Sequence, residues 1–413
     1  MRPCGFRQEV VLGSYPLQIA RWQDIPIRVR RTTVNAVHNK LSGSSRDWLP
    51  ATHMIEKVCS LSHMPTISNS SMATAGLPHS GFSPLVDRHG RTITDLRISV
   101  TDRCNYRCVY CRTGNEGPQY SELSIADYLR MARVFVDLGI QKVRLTGGEP
   151  LLRNGLAEFV YELAKLRTRP QNELLDIAIT TNGHLLETQA LELKRAGLTR
   201  LTVSMDAVES GTFSRITRVP GSFEKVKRGI VAAQEAGFGP IKVNCVLLRG
   251  FNEDQIVPFA KFSREHGVIV RFIEFMPLEE DRTWKPESVI PISELIARLE
   301  QFRPLVKLPS NAPGETAVRY TFDDGLGEIG IIAPVSQAFC GQCTRIRLTS
   351  DGKIRTCLFS QFDHDLYPVM QRSENGEDMM AFIRGVVTHK EARHHIGEPD
   401  FLKPSRSMVH IGG

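Results

Sequence analysis

Residues 95–111 read DLRISVTDRCNYRCVYC, and this stretch decides the fold. Asp95–Val100 is a short run rich in β-branched residues, which predicts a strand. Cys104, Cys108 and Cys111 follow directly, and three thiolates within eight residues of a loop can turn inward around one [4Fe–4S] cube. Such a cube normally takes four cysteines, so a triad predicts a cluster with one iron left open for another ligand.

A zinc ion is the structural alternative for this triad. Structural zinc usually takes four ligands that come in pairs. Neither a fourth cysteine nor a histidine lies close to Cys104–Cys111 in the sequence. The spacing therefore favours an iron–sulfur cluster and leaves zinc as the alternative.

Short strand patterns alternate with longer helical patterns after this stretch. The predicted strands are Asp95–Val100, Lys142–Thr146, Asp176–Thr181, Arg200–Met205, Ile241–Leu248 and Val268–Met276. The predicted helices are Ser124–Gly139, Leu156–Leu166, Glu187–Gly197, Phe223–Gly237, Glu253–Gly267 and Pro291–Phe302. Six strand–helix units predict an α/β fold with a parallel sheet, and six fall short of the eight in a closed barrel. We expect a partial (βα)6 barrel of the TIM type, with a doubly wound open sheet as the alternative.

Two glycines and a glutamate end the second predicted strand, in the run Thr146-Gly-Gly-Glu-Pro150. In either topology, ligands bind at the C-terminal ends of parallel strands, which places this run beside the cysteine triad. Gly148 allows a close approach of the backbone. Glu149 is predicted to accept a hydrogen bond from the ammonium group of a ligand.

A second cysteine triad lies near the C-terminus, at Cys340, Cys343 and Cys357. Between its members, the alternation of Arg345-Ile-Arg347 puts both arginines on one strand face. Three cysteines again predict a cluster with an open iron, flanked by arginines suited to phosphate. A zinc ribbon with His364 as its fourth ligand is the alternative.

Further cations fall at strand ends or on the same side of the predicted sheet: Arg97, Arg144, Lys242 and Arg271. Gathered at one mouth with the two arginines above, they would be costly without a polyanion, and a triphosphate suits them. The net charge of the 413 residues, +7, is too mild to indicate nucleic-acid binding. No apolar run is long enough to cross a bilayer. From the charge and from this absence, we expect neither nucleic acid nor a membrane as a partner.

The two ends of the chain differ from the middle. Residues 1–85 are rich in Arg and Ser and poor in acids, which predicts a non-folding leader, an over-extended start or an organellar targeting segment. We expect a barrel over residues 86–305 and a smaller strand-rich subdomain with the second cluster over 306–413. The final Gly412-Gly413 is either a frayed end or a slim tail that threads into an active site.

From about Asp87 onward the chain resembles the GTP 3',8-cyclases, the radical S-adenosylmethionine (SAM) enzymes that begin molybdenum-cofactor biosynthesis. The resemblance rests on both cysteine triads, the Gly-Gly-Glu-Pro run, the Arg345-Ile-Arg347 run and the terminal Gly-Gly. It implies two [4Fe–4S] clusters and SAM as cofactors. It also implies contacts to SAM from Tyr110, Gly148, Glu149, Ser204 and Met276 and contacts to GTP from Arg97, Arg144, Thr180, Lys242, Arg271, Arg345, Ile346 and Arg347.

The reaction that the resemblance implies is the conversion of GTP to (8S)-3',8-cyclo-7,8-dihydroguanosine 5'-triphosphate through a 5'-deoxyadenosyl radical, in the carbon–carbon lyase class. Arg345, Arg347, Gly412 and Gly413 would act in catalysis. The implied partners are an electron donor and a downstream cyclic pyranopterin monophosphate synthase, and a homodimer is compatible with the family. We expect a cytoplasmic enzyme, or a mitochondrial-matrix one if residues 1–85 are a transit segment.

The sequence departs from the family pattern at one place and leaves two rival functions open. Arg112-Thr113 stand where the family usually has Met-Pro, which puts the local contacts of the loop after the first triad in doubt. The rival enzyme is a radical SAM peptide- or protein-modifying enzyme with an auxiliary cluster. The rival from another class is a non-catalytic zinc-binding interaction module.

Overall fold

The computed structural model describes residues 82–111, 119–280, 283–312 and 314–411, which belong to one compact unit. Nearly all of the predicted leader, the Arg112-Thr113 departure and the terminal Gly412-Gly413 lie outside the described residues. Within the described ranges, no helix has the length and apolar character that crossing a membrane requires.

Within the described residues, twelve strands form a single sheet in the spatial order β12-β11-β10-β1-β2-β3-β4-β5-β6-β9-β8-β7. The first six strands are β1 (Asp95–Ser99), β2 (Lys142–Thr146), β3 (Asp176–Thr181), β4 (Arg200–Ser204), β5 (Lys242–Leu247) and β6 (Ile269–Glu274). The other six are β7 (Leu305–Leu308), β8 (Val318–Phe322), β9 (Glu328–Ile332), β10 (Arg345–Leu348), β11 (Lys353–Arg355) and β12 (His364–Asp365).

Ten α-helices accompany this sheet in the part of the chain that the structure describes. They are α1 (Ile125–Asp137), α2 (Leu156–Ala164), α3 (Leu186–Arg195), α4 (Ser210–Thr217), α5 (Ser222–Glu235), α6 (Ile256–His266), α7 (Ile292–Phe302), α8 (Tyr367–Arg372), α9 (Glu377–Thr388) and α10 (Met408–Ile411). The sequence patterns did not predict α4, which begins where the side chain of Glu209 accepts hydrogen bonds from the backbone N–H groups of Gly211 and Thr212. A carboxylate in this capping position satisfies donors that a helix start otherwise leaves open.

The partial barrel is confirmed, and the doubly wound alternative is wrong. Strands β1 to β6 are neighbours in strict chain order and all parallel, without the reversal of order that a doubly wound sheet needs. The C-terminal strands add what the sequence did not predict: β10 pairs in parallel with β1, and β9 pairs in parallel with β6. Eight parallel strands therefore lie side by side, and no ladder joins β9 to β10 among the described residues.

The pleat sorts the side chains of the central strands into two layers. The register of the ladders aligns Arg97 of β1 with Arg144 of β2 on one side and with Arg347 of β10 on the other. The next residues along the strands, such as Ile98 and Leu145, are fully buried in the apolar core. Because successive side chains point to opposite faces of a strand, the helices cover an apolar face and the cations occupy the inner face of the barrel.

Glu274 at the end of β6 ties the barrel to the segment that follows β9. Its buried carboxylate accepts hydrogen bonds from the backbone N–H of Val335 at 2.8 Å and of Ser336 at 2.9 Å, and also from the Ser336 hydroxyl. These two amides begin the segment that leads to the second cysteine triad. The barrel therefore holds that segment through one side chain.

We expect Glu274→Ala to lower the free energy of unfolding by roughly 2–4 kcal/mol, because two backbone N–H groups lose their buried acceptor. Thermal and urea unfolding of the purified chain measure this change. The control is Glu265→Ala, which removes an exposed carboxylate from the end of α6. Equal stability of the two variants would contradict the role of Glu274.

Candidate active site

Two neighbouring cavities lie inside the barrel and share part of their walls. The first surrounds the first cysteine triad and the second surrounds the second triad, and each has a volume of about 180 Å³. Thr180, Asn244, Ile273 and Met276 line both. The two triads therefore face each other across one continuous chamber, which the strands β3, β5 and β6 help to enclose.

The loop with the first triad fits closely against the glycines that follow β2. A Cβ atom on Gly147 would lie 2.3 Å from the carbonyl oxygen of Thr101, and one on Gly148 would lie 2.2 Å from that of Arg103. The Gly148 N–H donates to Thr101 O at 2.9 Å, and the Glu149 N–H donates to Arg103 O at 2.7 Å. Only glycine allows this backbone approach, which sets the cysteine loop beside the end of β2.

The Glu149 side chain is fully buried and is not part of the wall of the first cavity, and its contact with a ligand ammonium stays a prediction. It accepts hydrogen bonds from Thr181 Oγ1 at 2.6 Å, Asn182 N at 2.7 Å and Leu151 N at 3.0 Å. Burial raises the pKa of Glu149 to about 7, although these three bonds favour the charged form. The side chain thus joins the ends of β2 and β3 beneath the cavity.

The other residues predicted to contact SAM do line the first cavity: Tyr110, Gly148, Ser204 and Met276. Asp206, which sequence reasoning missed, lies among them and accepts a hydrogen bond from the Tyr110 hydroxyl at 2.7 Å and from Val246 N at 2.9 Å. Burial raises the pKa of Asp206 to about 6. This carboxylate fixes the ring of Tyr110 beside the cysteines.

The second triad lies between cations. Burial alone would raise the pKa of the Cys343 thiol, but Arg345 and Lys390 lower it to about 6. The Arg345 Nε–H donates to Cys343 Sγ at 3.3 Å, and the buried Lys390 donates to the carbonyl oxygens of Arg345 and Thr356. Thiolates are the form that binds metal, and this surrounding favours the thiolate at Cys343.

The spacing of the sulfurs bears on the choice between a cluster and zinc. Tetrahedral bonds of about 2.3 Å to one zinc ion bring two sulfurs to within roughly 3.8 Å of each other. Among the described residues, only His395, Glu398 and Asp400 form a group of three ligand atoms that all lie within 4.8 Å, and this group lies outside the chamber. At least two sulfurs of each triad are therefore more than 4.8 Å apart, which is wider than the separation in a zinc site.

His364 does not lie where the zinc-ribbon alternative for the second triad requires it. His364, the predicted fourth ligand of a zinc ribbon, lies in β12 and does not line the second cavity. His394 lines that cavity beside the cysteines instead, with its ring 5.3 Å from that of Phe359. No histidine lines the first cavity within the described residues.

Four of the predicted GTP-binding arginines line the second cavity with Arg347, and burial shifts their acid–base balance. Burial, together with the charges of Arg345 and Arg144, lowers the pKa of Arg97 to about 9. Burial likewise lowers the pKa of Arg144 to about 10, and it lowers that of Arg347 strongly. These arginines lower each other's pKa because nearby carboxylates do not fully compensate their charges. The wall that they form is therefore suited to bind an anion. The full arginine set is Arg97, Arg144, Arg271, Arg345 and Arg347.

The remaining predicted GTP contacts lie in different places. Thr180 lines the chamber and accepts a hydrogen bond from Arg144 Nη1 at 3.0 Å. Lys242 lies instead in an adjoining cavity at the N-terminal ends of the strands, where Arg97, Arg144, Arg271 and Arg345 also form part of the wall. Ile346 is fully buried in the core, on the opposite strand face from its neighbours, which contradicts a side-chain contact with GTP.

Sequence reasoning missed several residues that line the chamber: Asp206, Asn244, Phe339, Lys390, His394, Met408 and Val409. Most stand alone in the sequence, outside any motif, so spacing gave no signal for them. Asp206 is the exception, because it lies at the end of β4 two residues after Ser204. Its place at a C-terminal strand end could have identified it.

Two family descriptions match adjacent parts of the chain. The Radical SAM superfamily matches residues 98–263, and Molybdenum Cofactor Synthesis C matches residues 268–396. Their boundary falls between α6 and β6, inside the parallel sheet. The first covers the cysteine loop and the second covers the second triad.

Curated relatives agree with these matches over most of their length. The GTP 3',8-cyclase of Xanthomonas campestris pv. campestris (strain B100) is 42% identical over 306 residues, which cover 73% of this chain and 89% of the relative. The GTP 3',8-cyclase of Syntrophomonas wolfei subsp. wolfei is 39% identical over 335 residues, covering 80% of this chain and 100% of the relative.

A solved structure shares the fold at low sequence identity. The crystal structure of Streptococcus suis SuiB bound to S-adenosylmethionine superposes with a TM-score of 0.51 and 14% identity, covering 73% of this chain and 69% of that one. This likeness shows the fold alone. The identity of about 40% to curated relatives and the two adjacent family matches together show that the chain belongs to the GTP 3',8-cyclase family of radical SAM enzymes.

Proposed function

We propose that this chain converts GTP to (8S)-3',8-cyclo-7,8-dihydroguanosine 5'-triphosphate, the first step of molybdenum-cofactor biosynthesis. One observation carries the proposal: the two cysteine triads line two cavities of one chamber, and a group of arginines lines its wall beside the second triad. A nucleoside triphosphate matches this wall in charge. Family membership gives the reaction, and the chamber gives this chain the means to perform it.

The first triad and its surroundings suit a cluster that binds SAM. Cys104, Cys108 and Cys111 would hold three irons, and the backbone at Gly148 would receive the methionine part of SAM. Ser204 and Met276 line the same cavity, and Asp206 keeps Tyr110 in place. When bound, the two clusters and SAM supply the electrons and the radical chemistry. The protein supplies orientation and the exclusion of water.

The second cavity would hold GTP with its phosphates on the arginine wall. Arg97, Arg144 and Arg347 lie side by side on three neighbouring strands, so they can share one polyanion. An anion there would raise their depressed pKa values back toward the ordinary range, and this gain favours binding. Lys242 would contact the outermost phosphate from the adjoining cavity. The guanine would then face Cys340, Cys343 and Cys357.

Arg345 and Arg347 would act in the reaction itself. Arg347 is almost fully buried and donates from Nη1 to the carbonyl oxygen of Ile411 at 3.3 Å. The chain continues from Ile411 into Gly412-Gly413, which we propose reach the substrate and act together with Arg347. A buried guanidinium at this place can stabilise negative charge that develops on the nucleotide.

The rival functions fit the chamber less well. A peptide substrate would not need five arginines on the inner wall, and the spacing of the triads argues against a zinc module. We further propose an electron donor, a downstream cyclic pyranopterin monophosphate synthase and a homodimer as partners. A cytoplasmic location is also part of the proposal, and the bacterial relatives give no support to a mitochondrial one. Residues 86–305 would form the SAM-binding part and 306–413 the GTP-binding part.

The deciding assay is anaerobic incubation of the reconstituted chain with a reductant, SAM and GTP. We expect about eight irons per chain from two cubic clusters. We also expect 5'-deoxyadenosine and the cyclised nucleotide to form only when GTP is present, measured by liquid chromatography and mass spectrometry. Stoichiometric zinc in place of iron, or 5'-deoxyadenosine without dependence on GTP, would contradict the proposal.

We expect Arg347→Ala to keep SAM cleavage but lose the cyclised product by about 100-fold or more, because it removes a buried donor that acts on the reacting nucleotide. The ratio of product to 5'-deoxyadenosine measures this uncoupling. Arg264→Ala is the control, since it also removes an arginine, but one that is paired with Asp324 at the surface and lines neither cavity. An unchanged ratio in Arg347→Ala would remove its proposed role.

Glu149 gives a prediction on pH dependence. Its pKa is raised from 4.5 to about 7 in the folded chain, so the folded state loses stability relative to the unfolded state as pH rises through that interval. The full effect is roughly 3 kcal/mol. We expect Glu149→Gln, which cannot ionise, to show a smaller fall in melting temperature between about pH 4.5 and 7 than the unmodified chain. Glu265→Gln is the control, and parallel curves for all three proteins would refute the prediction.

A further inference from the structure

The C-terminal segment, residues 402–411, forms part of the wall of the chamber. Met408 and Val409 line the first cavity beside the first cysteine triad. The Met408 N–H donates to the carbonyl oxygen of Leu278 at 3.0 Å, and the segment ends where Arg347 donates to Ile411 O. The segment therefore lines the first cavity and is hydrogen-bonded to an arginine that lines the second.

Arg406 fixes this segment through three side chains. Its Nη1 and Nη2 donate to the two carboxylate oxygens of Asp351 at 2.9 and 2.8 Å, and its Nε donates to Asp363 Oδ2 at 2.6 Å. The guanidinium carbon lies 3.9 Å from the centre of the Tyr120 ring. Arg406 is only 4% exposed, so the planar fork of arginine satisfies all its partners out of water. We call Arg406, Asp351, Asp363 and Tyr120 the arginine clamp.

The clamp connects the segment to both cysteine regions. The backbone N–H of Tyr120 donates to Asp102 Oδ2 at 2.9 Å, and Asp102 lies two residues before Cys104. On the other side, Asp363 also accepts from the fully buried Arg355, which lies two residues before Cys357. One side chain of the tail is thus bound to the supports of both triads.

A second ion pair holds the start of the segment. Lys403 Nζ donates to the fully buried Glu279 Oε1 at 2.8 Å. Release of the segment would take Lys403 away from Glu279 and Arg406 away from its two aspartates. Because a carboxylate left buried without its partner costs several kcal/mol, we expect release to be a discrete step.

We infer that Arg406 is a positioning residue for the cyclase reaction: it holds the C-terminal segment so that Met408 and Val409 close the SAM cavity and the chain end is presented to Arg347. The inference rests on the proposed function for the identity of SAM and GTP. The statement that Arg406 holds the segment rests on its observed contacts and does not depend on the proposed function. Arg406 lines neither cavity, so it acts through the segment and not on the reactants.

The first test measures the segment without any turnover. We compare hydrogen–deuterium exchange of residues 402–411 in the reconstituted chain for the unmodified protein, Arg406→Ala, Arg406→Lys and Arg264→Ala. We expect exchange in Arg406→Ala to be about tenfold faster or more, the factor for loss of one charge-assisted hydrogen bond. Arg406→Lys should fall between, because an ammonium keeps the charge but not the fork. Exchange equal to that of Arg264→Ala would overturn the inference.

The second test separates the two consequences of closure. Calorimetry gives the SAM dissociation constant, and the anaerobic assay gives the ratio of cyclised product to 5'-deoxyadenosine. Arg406→Ala should weaken SAM binding about tenfold and lower the ratio, since both effects follow from release of the segment. In a chain that lacks Gly412-Gly413, Arg406→Ala should still weaken SAM binding but should lower the ratio no further. A further loss of ratio in that background would overturn the positioning role.

The outcomes keep this inference apart from the proposed function. If the unmodified chain makes no product from GTP, the proposed function fails, while the exchange data still decide whether Arg406 fixes the segment. If Arg406→Ala does not fold, Tyr120→Leu tests the same clamp from another member, and Arg406→Lys tests it by a conservative change at Arg406. Normal exchange of residues 402–411 and normal SAM binding in both folded variants would overturn the inference as well.

Discussion

The constraint on which the rest of this structure depends is the burial of like charges on the inner face of a parallel sheet. Arg97, Arg144 and Arg347 lie on three neighbouring strands at one level of the barrel. A fold would ordinarily avoid such a group, because each guanidinium loses hydration and repels its neighbours. The apolar layer under the helices must supply the stability that this wall costs. The cations are therefore best understood as a binding site that is prepared before its anion arrives.

The chain joins its two halves across the open side of the barrel. Strand β9 extends the sheet beyond β6, and β10 extends it beyond β1, so the connection over residues 333–344 passes from one edge to the other. Cys340 and Cys343 lie in this connection. The second triad consequently faces the first, which lies in the loop after β1. This one connection brings both cysteine triads to the same chamber. Glu274 of β6 anchors the start of the connection.

Much of the fold could be predicted because its signals are local. Each of the six strand–helix units has its own period in the sequence, and the strict alternation leads to parallel strands. The pairing of β9 and β10 with the barrel could not be predicted, because it joins residues that are far apart and carries no local pattern. The alternation that placed Arg345 and Arg347 on one face also placed the Ile346 side chain on the other, in the core, so a contact of Ile346 with GTP would have to come from its backbone. Lone residues such as Lys390 and His394 became visible only when the chain brought them to the second triad.

Glu149 lies in a ligand-binding motif, but its observed partners are protein groups. Its motif position suggested contact with SAM, and its carboxylate accepts hydrogen bonds from Thr181, Asn182 and Leu151. What the first cavity receives from this motif is the backbone at Gly148, which lies against the cysteine loop without room for a side chain. Arg406 likewise binds protein groups, while Met408 and Val409, a short step further along the chain, line the same cavity. In both places, a buried ionic side chain fixes the position of the neighbouring chain segment, and that segment forms part of the surface offered to the reactants.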